Sequence, residues 1–192
     1  MNKTELPVYL ASKSPRRRKL LKQINIQFKV LDIHSDEIFS DIETPLQNVK
    51  RIALEKTQSA LKKNKKGIII TADTIVVVDG KKIGKPSSKK EARTMLKMLS
   101  GTTHIVYTGF CVINSVTNKK IIGAAKTFVT FRELTLKEIE DYVESGSPMD
   151  KAGAYGIQDD YGAVFVSKIN GCYYNVVGLP LAKIFTAIRK VR

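Results

Sequence analysis

The sequence predicts an α/β fold with a mixed sheet and flanking helices, and three observations carry the prediction. Apolar strand-like runs alternate with capped amphipathic segments along the chain, the pattern that makes parallel crossovers. Asp79-Gly80 and Asn170-Gly171 are two-residue turn signals, so some neighbouring strands must run antiparallel. The 192 residues are 43% hydrophobic and 27% charged, enough apolar matter for the core of one ordinary domain spanning 1–192.

Val8 to Ser12 reads as a first strand. Ser14-Pro15 then supplies an N-cap and an N1 proline for a helix through Gln23. Phe28 to Ile33 reads as a second strand, and Thr44-Pro45-Leu46-Gln47 is a capping box opening a long helix to about Lys63. Gly67 to Val78 is a strand rich in Ile and Val that returns through Asp79-Gly80 to Lys81–Gly84. Ser88 with Glu91 caps a helix that Ser100-Gly101 stops. Thr103 to Asn114 and Ile121 to Phe131 read as two long strands, and Thr135 with Glu138 opens a helix ended by Gly146-Ser147-Pro148. Gly162 to Ile169 and Cys172 to Val177 are expected to form a hairpin about Asn170-Gly171, after which Pro180 opens a C-terminal helix.

Composition excludes several classes. No apolar run approaches the roughly 18 residues of a membrane span, and Met1 to Pro7 hold Lys3 and Glu5 rather than a signal-type apolar stretch. Cys111 and Cys172 have no metal-type spacing, and both read as buried thiols of a reducing, cytoplasmic compartment. The formal charge is +15, and its excess lies entirely before residue 131. A basic two-thirds suits a polyanionic ligand, although Lys62, Lys63, Lys65 and Lys66 read as a solvated helix end.

Four places could carry chemistry. Ser12-Lys13-Ser14-Pro15-Arg16-Arg17 sits at a strand-to-helix turn, where backbone N–H groups, hydroxyls and arginine forks suit phosphate oxygens. The same residues also suit a capped basic surface helix. Asp73 lies within Ile68 to Val78, where a buried carboxylate demands a cation, a metal or hydrogen-bond donors. A wet strand face would satisfy it equally. Asp36 and Glu37 offer further oxygens after the second strand, while Lys56 and Lys85 read alone as surface lysines. Asp150 to Gln158 holds two glycines among small and polar residues, a segment whose backbone can approach a flat ligand or form an irregular loop. His34 and His104 lack zinc spacing, and His104 reads as structural.

Taken in order, LASKSPRR (Leu10 to Arg17), ADTIV (Ala72 to Val76), GKP (Gly84 to Pro86), LSG (Leu99 to Gly101), DKAGAYGIQ (Asp150 to Gln158) and NVVGLPL (Asn175 to Leu181) resemble the Maf family of nucleoside triphosphate pyrophosphatases. The resemblance implies an elongated, two-lobed fold with a central cleft, related to inosine triphosphate pyrophosphatases, and often a homodimer. It also implies hydrolysis of a triphosphate to monophosphate and pyrophosphate with a divalent cation, Mg²⁺ or alternatively Mn²⁺. Asp73 becomes the proton acceptor, with Glu37 and Asp73 toward metal, and Ser12, Arg16, Arg17, Lys56 and Lys85 toward the triphosphate. Arg16, Thr74 and Gln158 match positions linked to base choice. DKAGAYGIQ is similar to the dTTP/UTP branch, with CTP or 7-methyl-GTP as the alternative substrates. Asp159-Asp160-Tyr161-Gly162 departs from the shorter turn of many relatives. The rival is a basic nucleic-acid-binding or septum-regulating protein, but no basic-aromatic interleaving supports it, so neither stable nucleic acid nor membrane is expected as a partner.

Overall fold

The computed structural model describes residues 6–158 and 161–192. The described strands are β1 Val8–Leu10, β2 Lys29–Val30, β3 Ile68–Val78, β4 Lys81–Ile83, β5 Thr103–Asn114, β6 Lys120–Phe131 and β7 Val166–Asn170. The helices are α1 Pro15–Gln23, α2 Pro45–Leu61, α3 Lys89–Leu99, α4 Leu136–Glu144, α5 Tyr173–Val177 and α6 Leu181–Val191. The sheet has the order β2-β1-β3-β5-β6-β7, with β4 paired to β3. It is mixed as expected: β1 runs parallel to β2 and β3, whereas β3–β4 and β6–β7 are antiparallel. No helix among the described residues is long and apolar enough to cross a membrane.

Two compact units divide the chain within β3, β5 and β6. The first comprises Met1–Asp73, Thr108–Ala125 and Gly178–Arg192. Its helix α2 turns Val49, Ile52, Ala53, Lys56, Thr57 and Ala60 inward, the i, i+3, i+4 stripe of a helix laid on a sheet. The capping box predicted at Thr44 and Gln47 is complete. Gly109 on β5 lets α2 come close, because a Cβ there would stand 2.1 Å from the Val49 carbonyl oxygen. Gly109→Ala must therefore move backbone rather than a flexible side chain. The expected cost is about 1–3 kcal/mol, seen as a fall of roughly 3–10 °C in melting temperature. An unchanged melting temperature would mean that α2 yields without cost.

The second unit comprises Thr74–Tyr107 and Lys126–Val177. Its core gathers Val76, Leu96, Leu99, Val129, Phe131, Tyr142, Val143, Tyr155 and Phe165. His104 is fully buried there, as its position within a strand suggested, with Nε2 2.7 Å from the Tyr155 hydroxyl and its ring edge-on to Phe131. Burial holds its pKa down at about 4, so the imidazole is neutral at physiological pH.

The expected hairpin about Asn170-Gly171 does not form. Tyr161–Phe165 is a 3-10 turn, β7 pairs instead with β6, and Tyr173–Val177 is helix. The reason lies in Asn175, whose Nδ2 donates to the Val106 carbonyl and to Thr127 Oγ1, while Thr127 Oγ1 accepts from the Cys172 N–H. The Asn175 and Val176 N–H groups bond back to the Cys172 carbonyl, and this helical turn keeps the Asn175 side chain beside the Cys172 backbone at Thr127, where an extended strand would carry the two residues about 10 Å apart. Cys172 is consequently half-buried rather than buried, whereas Cys111 is buried as expected. The second strand is also shorter than Phe28 to Ile33, a two-residue exposed edge.

Candidate active site

The turn after β1 is built by its serines. Ser14 caps α1 by accepting from the Arg17 N–H, and Ser12 Oγ accepts from the Ser14 N–H. Pro15 occupies the first turn, where its missing N–H costs nothing. Arg17 does not extend outward as a surface arginine would. It is buried, with Nε donating to the Gly178 carbonyl at 2.8 Å and Nη1 to the Ala72 carbonyl at 2.9 Å and to Ser12 Oγ at 3.2 Å. The guanidinium thus ties the β1–α1 turn, the strand bearing Asp73 and the residue preceding Leu179. Burial pulls its pKa down, against the charges of Asp73 and Glu37, which raise it.

Asp73 is 5% exposed, so the wet-face alternative is gone. Both faces of β3 are covered along most of its length. The cation it requires is Lys56, whose Nζ lies 2.8 Å from Asp73 Oδ1 and 2.7 Å from Glu37 Oε1. Read alone, Lys56 looked like surface; α2's inward stripe brings it to 7% exposure. Glu37, on the loop after β2, is half exposed at its side chain. That loop is fastened to α2 further along: Asn48 Oδ1 accepts from the Ser40 N–H, Asn48 Nδ2 donates to the Ser40 and Glu43 carbonyls, and Arg51 donates to the Ile38 carbonyl and to Glu43. Asp36 is exposed and lines a pocket of about 540 Å³ with Arg51, Glu55 and Gln58. Arg16 is half-buried and Lys13 exposed, pairing with Asp32 at 3.4 Å.

In the second unit, Thr74 follows Asp73 along β3 and so faces the other side of the strand. Lys85 is exposed just beyond β4, and the Gly84 carbonyl accepts from the Gly153 N–H, which joins GKP to DKAGAYGIQ. Gly153 takes a positive φ of 75° with its Cα side facing Val76, a position where a side chain would be strained. Tyr155 anchors this segment through His104, and the Gly156 N–H donates to the Tyr142 hydroxyl. Gln158 is half-buried, and its Oε1, itself buried, accepts no hydrogen bond from the described residues. The Asp159-Asp160 departure lies outside the described residues, as do Lys3 and Glu5; Tyr161 is exposed and edge-on to Phe165.

Sequence reasoning missed the Gly178 and Ala72 carbonyls as partners of Arg17, and it missed Thr57 and Thr71 behind Asp73. Carbonyls carry no side-chain signal, and a buried threonine in a β-rich run looks like ordinary strand.

A mixed-sheet α/β protein with a buried carboxylate and ammonium next to a capped strand-to-helix turn belongs to the class that handles anionic substrates beside a proton-accepting group. The chain belongs to the Maf family: a family model described as Maf-like protein matches residues 7–191. It is 44% identical over 186 residues to the dTTP/UTP pyrophosphatase of Carboxydothermus hydrogenoformans, covering 96% of this chain and 98% of that one. It is 43% identical to the dTTP/UTP pyrophosphatase of Clostridioides difficile over 95% of this chain and 94% of the relative. The protein of the same description from Chlorobium phaeovibrioides is 42% identical over 97% of both chains.

Proposed function

We propose that this chain is a nucleoside triphosphate pyrophosphatase that hydrolyses dTTP and UTP to the monophosphate and pyrophosphate. The observation that carries the reading is the buried Lys56–Asp73 pair with Glu37 on the same ammonium, in a chain that matches dTTP/UTP pyrophosphatases end to end. A water oxygen bonds to the α-phosphorus, and its proton passes to the Asp73 carboxylate. The bond from the α-phosphorus to the bridging oxygen breaks, and its electron pair leaves with pyrophosphate.

A divalent cation fits the donors present. Among the described residues no three His, Cys, Asp or Glu gather, but Asp73 and Glu37 converge on one Nζ. Mg²⁺ characteristically takes one or two carboxylates and leaves the rest of its shell to water and substrate phosphates. When bound, it would neutralise phosphate charge and make water more acidic. Glu37 and Asp73 would hold it. Lys56 orients Asp73 and supplies positive charge, the α1 N-terminus with Ser12 offers donors to phosphate oxygens, and Arg17 holds that turn in place. Arg16 and Lys85 are assigned to the triphosphate, and Thr74 and Gln158 to the base. The whole chain is taken as one functional domain of a cytoplasmic enzyme.

Gln158 supports the base assignment. Its amide carries both an acceptor and donors, and uracil and thymine present N3–H to Oε1 beside O4 for the N–H₂. Cytosine presents the reverse edge and opposes both groups while the amide keeps that orientation. UTP and dTTP are expected to lead CTP, ATP and GTP in kcat/KM. Gln158→Ala should narrow the lead over CTP about tenfold, the worth of one hydrogen bond, and reduce kcat less. A lead for CTP or a purine triphosphate over both UTP and dTTP in the wild-type enzyme would sink the assignment.

A further inference from the structure

Behind the Lys56–Asp73 pair lies a polar cluster that takes no direct part in the reaction. Thr71 precedes Asp73 by two residues on β3, so their side chains share a face. Thr57 follows Lys56 on α2, and both are buried. Thr57 Oγ1 and Thr71 Oγ1 are 2.7 Å apart, and the Ala53 carbonyl of α2 lies 2.7 Å from Thr71 Oγ1 and 3.0 Å from Thr57 Oγ1. Helix and strand are therefore joined by two adjacent rungs, Lys56 to Asp73 and Thr57 to Thr71.

The two hydroxyls carry two protons. One donates to the other hydroxyl, and the second goes to the Ala53 carbonyl; the direction can reverse without leaving either proton unused. Apart from Asn48, which bonds the loop after β2, the other buried residues of α2 are the apolar Val49, Ile52, Ala53 and Ala60, with the Val49 backbone against Gly109. Apolar packing of this kind sets how near the helix lies but has no preferred bond direction of its own. Hydrogen bonds to Thr71 are directional and fix which way α2 is turned. A lysine ammonium reaches its partners through four methylenes, and a rotation at its Cα is magnified at Nζ.

We infer that Thr71 is a positioning residue: its hydroxyl, bonded to α2 at Ala53 and Thr57, sets the helix so that Lys56 meets Asp73 and Glu37. The inference rests on the pyrophosphatase reading above. It extends to the reaction a group that touches neither substrate nor metal.

Thr71→Val keeps the β-branched shape and removes the hydroxyl. No buried donor is stranded, because Thr57 can still donate to the Ala53 carbonyl, so the variant should fold. Its kcat for UTP is expected to fall about 10- to 100-fold, as for a catalytic group displaced by a fraction of its bond length, with KM within threefold of wild type. Thr71→Ser keeps the hydroxyl and loses the methyl, and should stay within threefold in kcat. If the valine variant fails to fold by circular dichroism, Thr71→Cys, close in volume and only a weak donor, is expected to lose kcat in its place. Wild-type kcat in a folded valine or cysteine variant overturns the inference, as does an equal loss in serine and valine, which would mark the site as one of shape. Wild-type enzyme that releases no pyrophosphate from any triphosphate would overturn the functional reading itself; an active wild type beside an unaffected Thr71→Val removes only the positioning role.

Discussion

Asp73→Asn is expected to abolish pyrophosphate release from UTP and dTTP while leaving the protein folded. The amide matches the carboxylate in shape, and its oxygen can still accept from Lys56 Nζ, which lies 2.8 Å from Oδ1. Lys56 also retains Glu37 at 2.7 Å, so the buried ammonium is not stranded. What disappears is a group able to take a proton from water and a full negative charge for a cation. Loss of a positioned proton acceptor alone costs about 10²–10⁴ in rate, and the missing cation ligand adds to it. Steady-state release assays beside circular dichroism decide the matter: turnover within tenfold of wild type in a folded Asp73→Asn protein would remove Asp73 from the mechanism.

Much of the fold was legible because local signals and tertiary demands agreed. Thr44 with Gln47 and Thr135 with Glu138 form the boxes their spacing predicts, since a cap satisfies its own helix whatever lies around it. Asp79-Gly80 turns β3 into β4 for the same local reason, both residues taking positive φ. The segment from Cys172 to Val177 failed because its conformation is decided by Asn175 reaching Val106 and Thr127, partners more than 40 positions away. The site divides in the same manner. Asp73 could be singled out because a carboxylate in an apolar strand is anomalous anywhere. Lys56 could not, since a lysine on an amphipathic helix is ordinary until the register of the buried stripe is known. Arg17 lies between these. Its type and place suggested phosphate, yet its Nε and one Nη are committed to carbonyls and a serine, which a sequence does not display.

Lys56→Met should damage both stability and turnover, and the two losses can be separated. Methionine fills similar volume without the ammonium, leaving Asp73, whose side chain is 8% exposed, without its ion-pair partner. Removing one member of a buried pair typically costs about 3–5 kcal/mol, most of it the penalty of the charge left behind. Arg17 moderates that penalty, because its guanidinium is close enough for Asp73 to act on its pKa. A value toward the lower end, roughly 3 kcal/mol, is therefore expected from denaturant titration. Turnover should fall about 10²–10³, the usual effect of removing one preorganised charge from a site where phosphate charge is transferred. Arginine is no substitute, being a planar fork too large for a place fitted to a compact ammonium. The double variant Lys56→Met with Asp73→Asn distinguishes the two contributions. With the carboxylate gone, the charge that Lys56→Met leaves unpaired is itself absent, so the stability loss should be smaller in the double variant than in Lys56→Met alone, while activity stays absent. Stability losses that simply add would mean that Lys56 and Asp73 are not energetically coupled across 2.8 Å, and would count against a shared role.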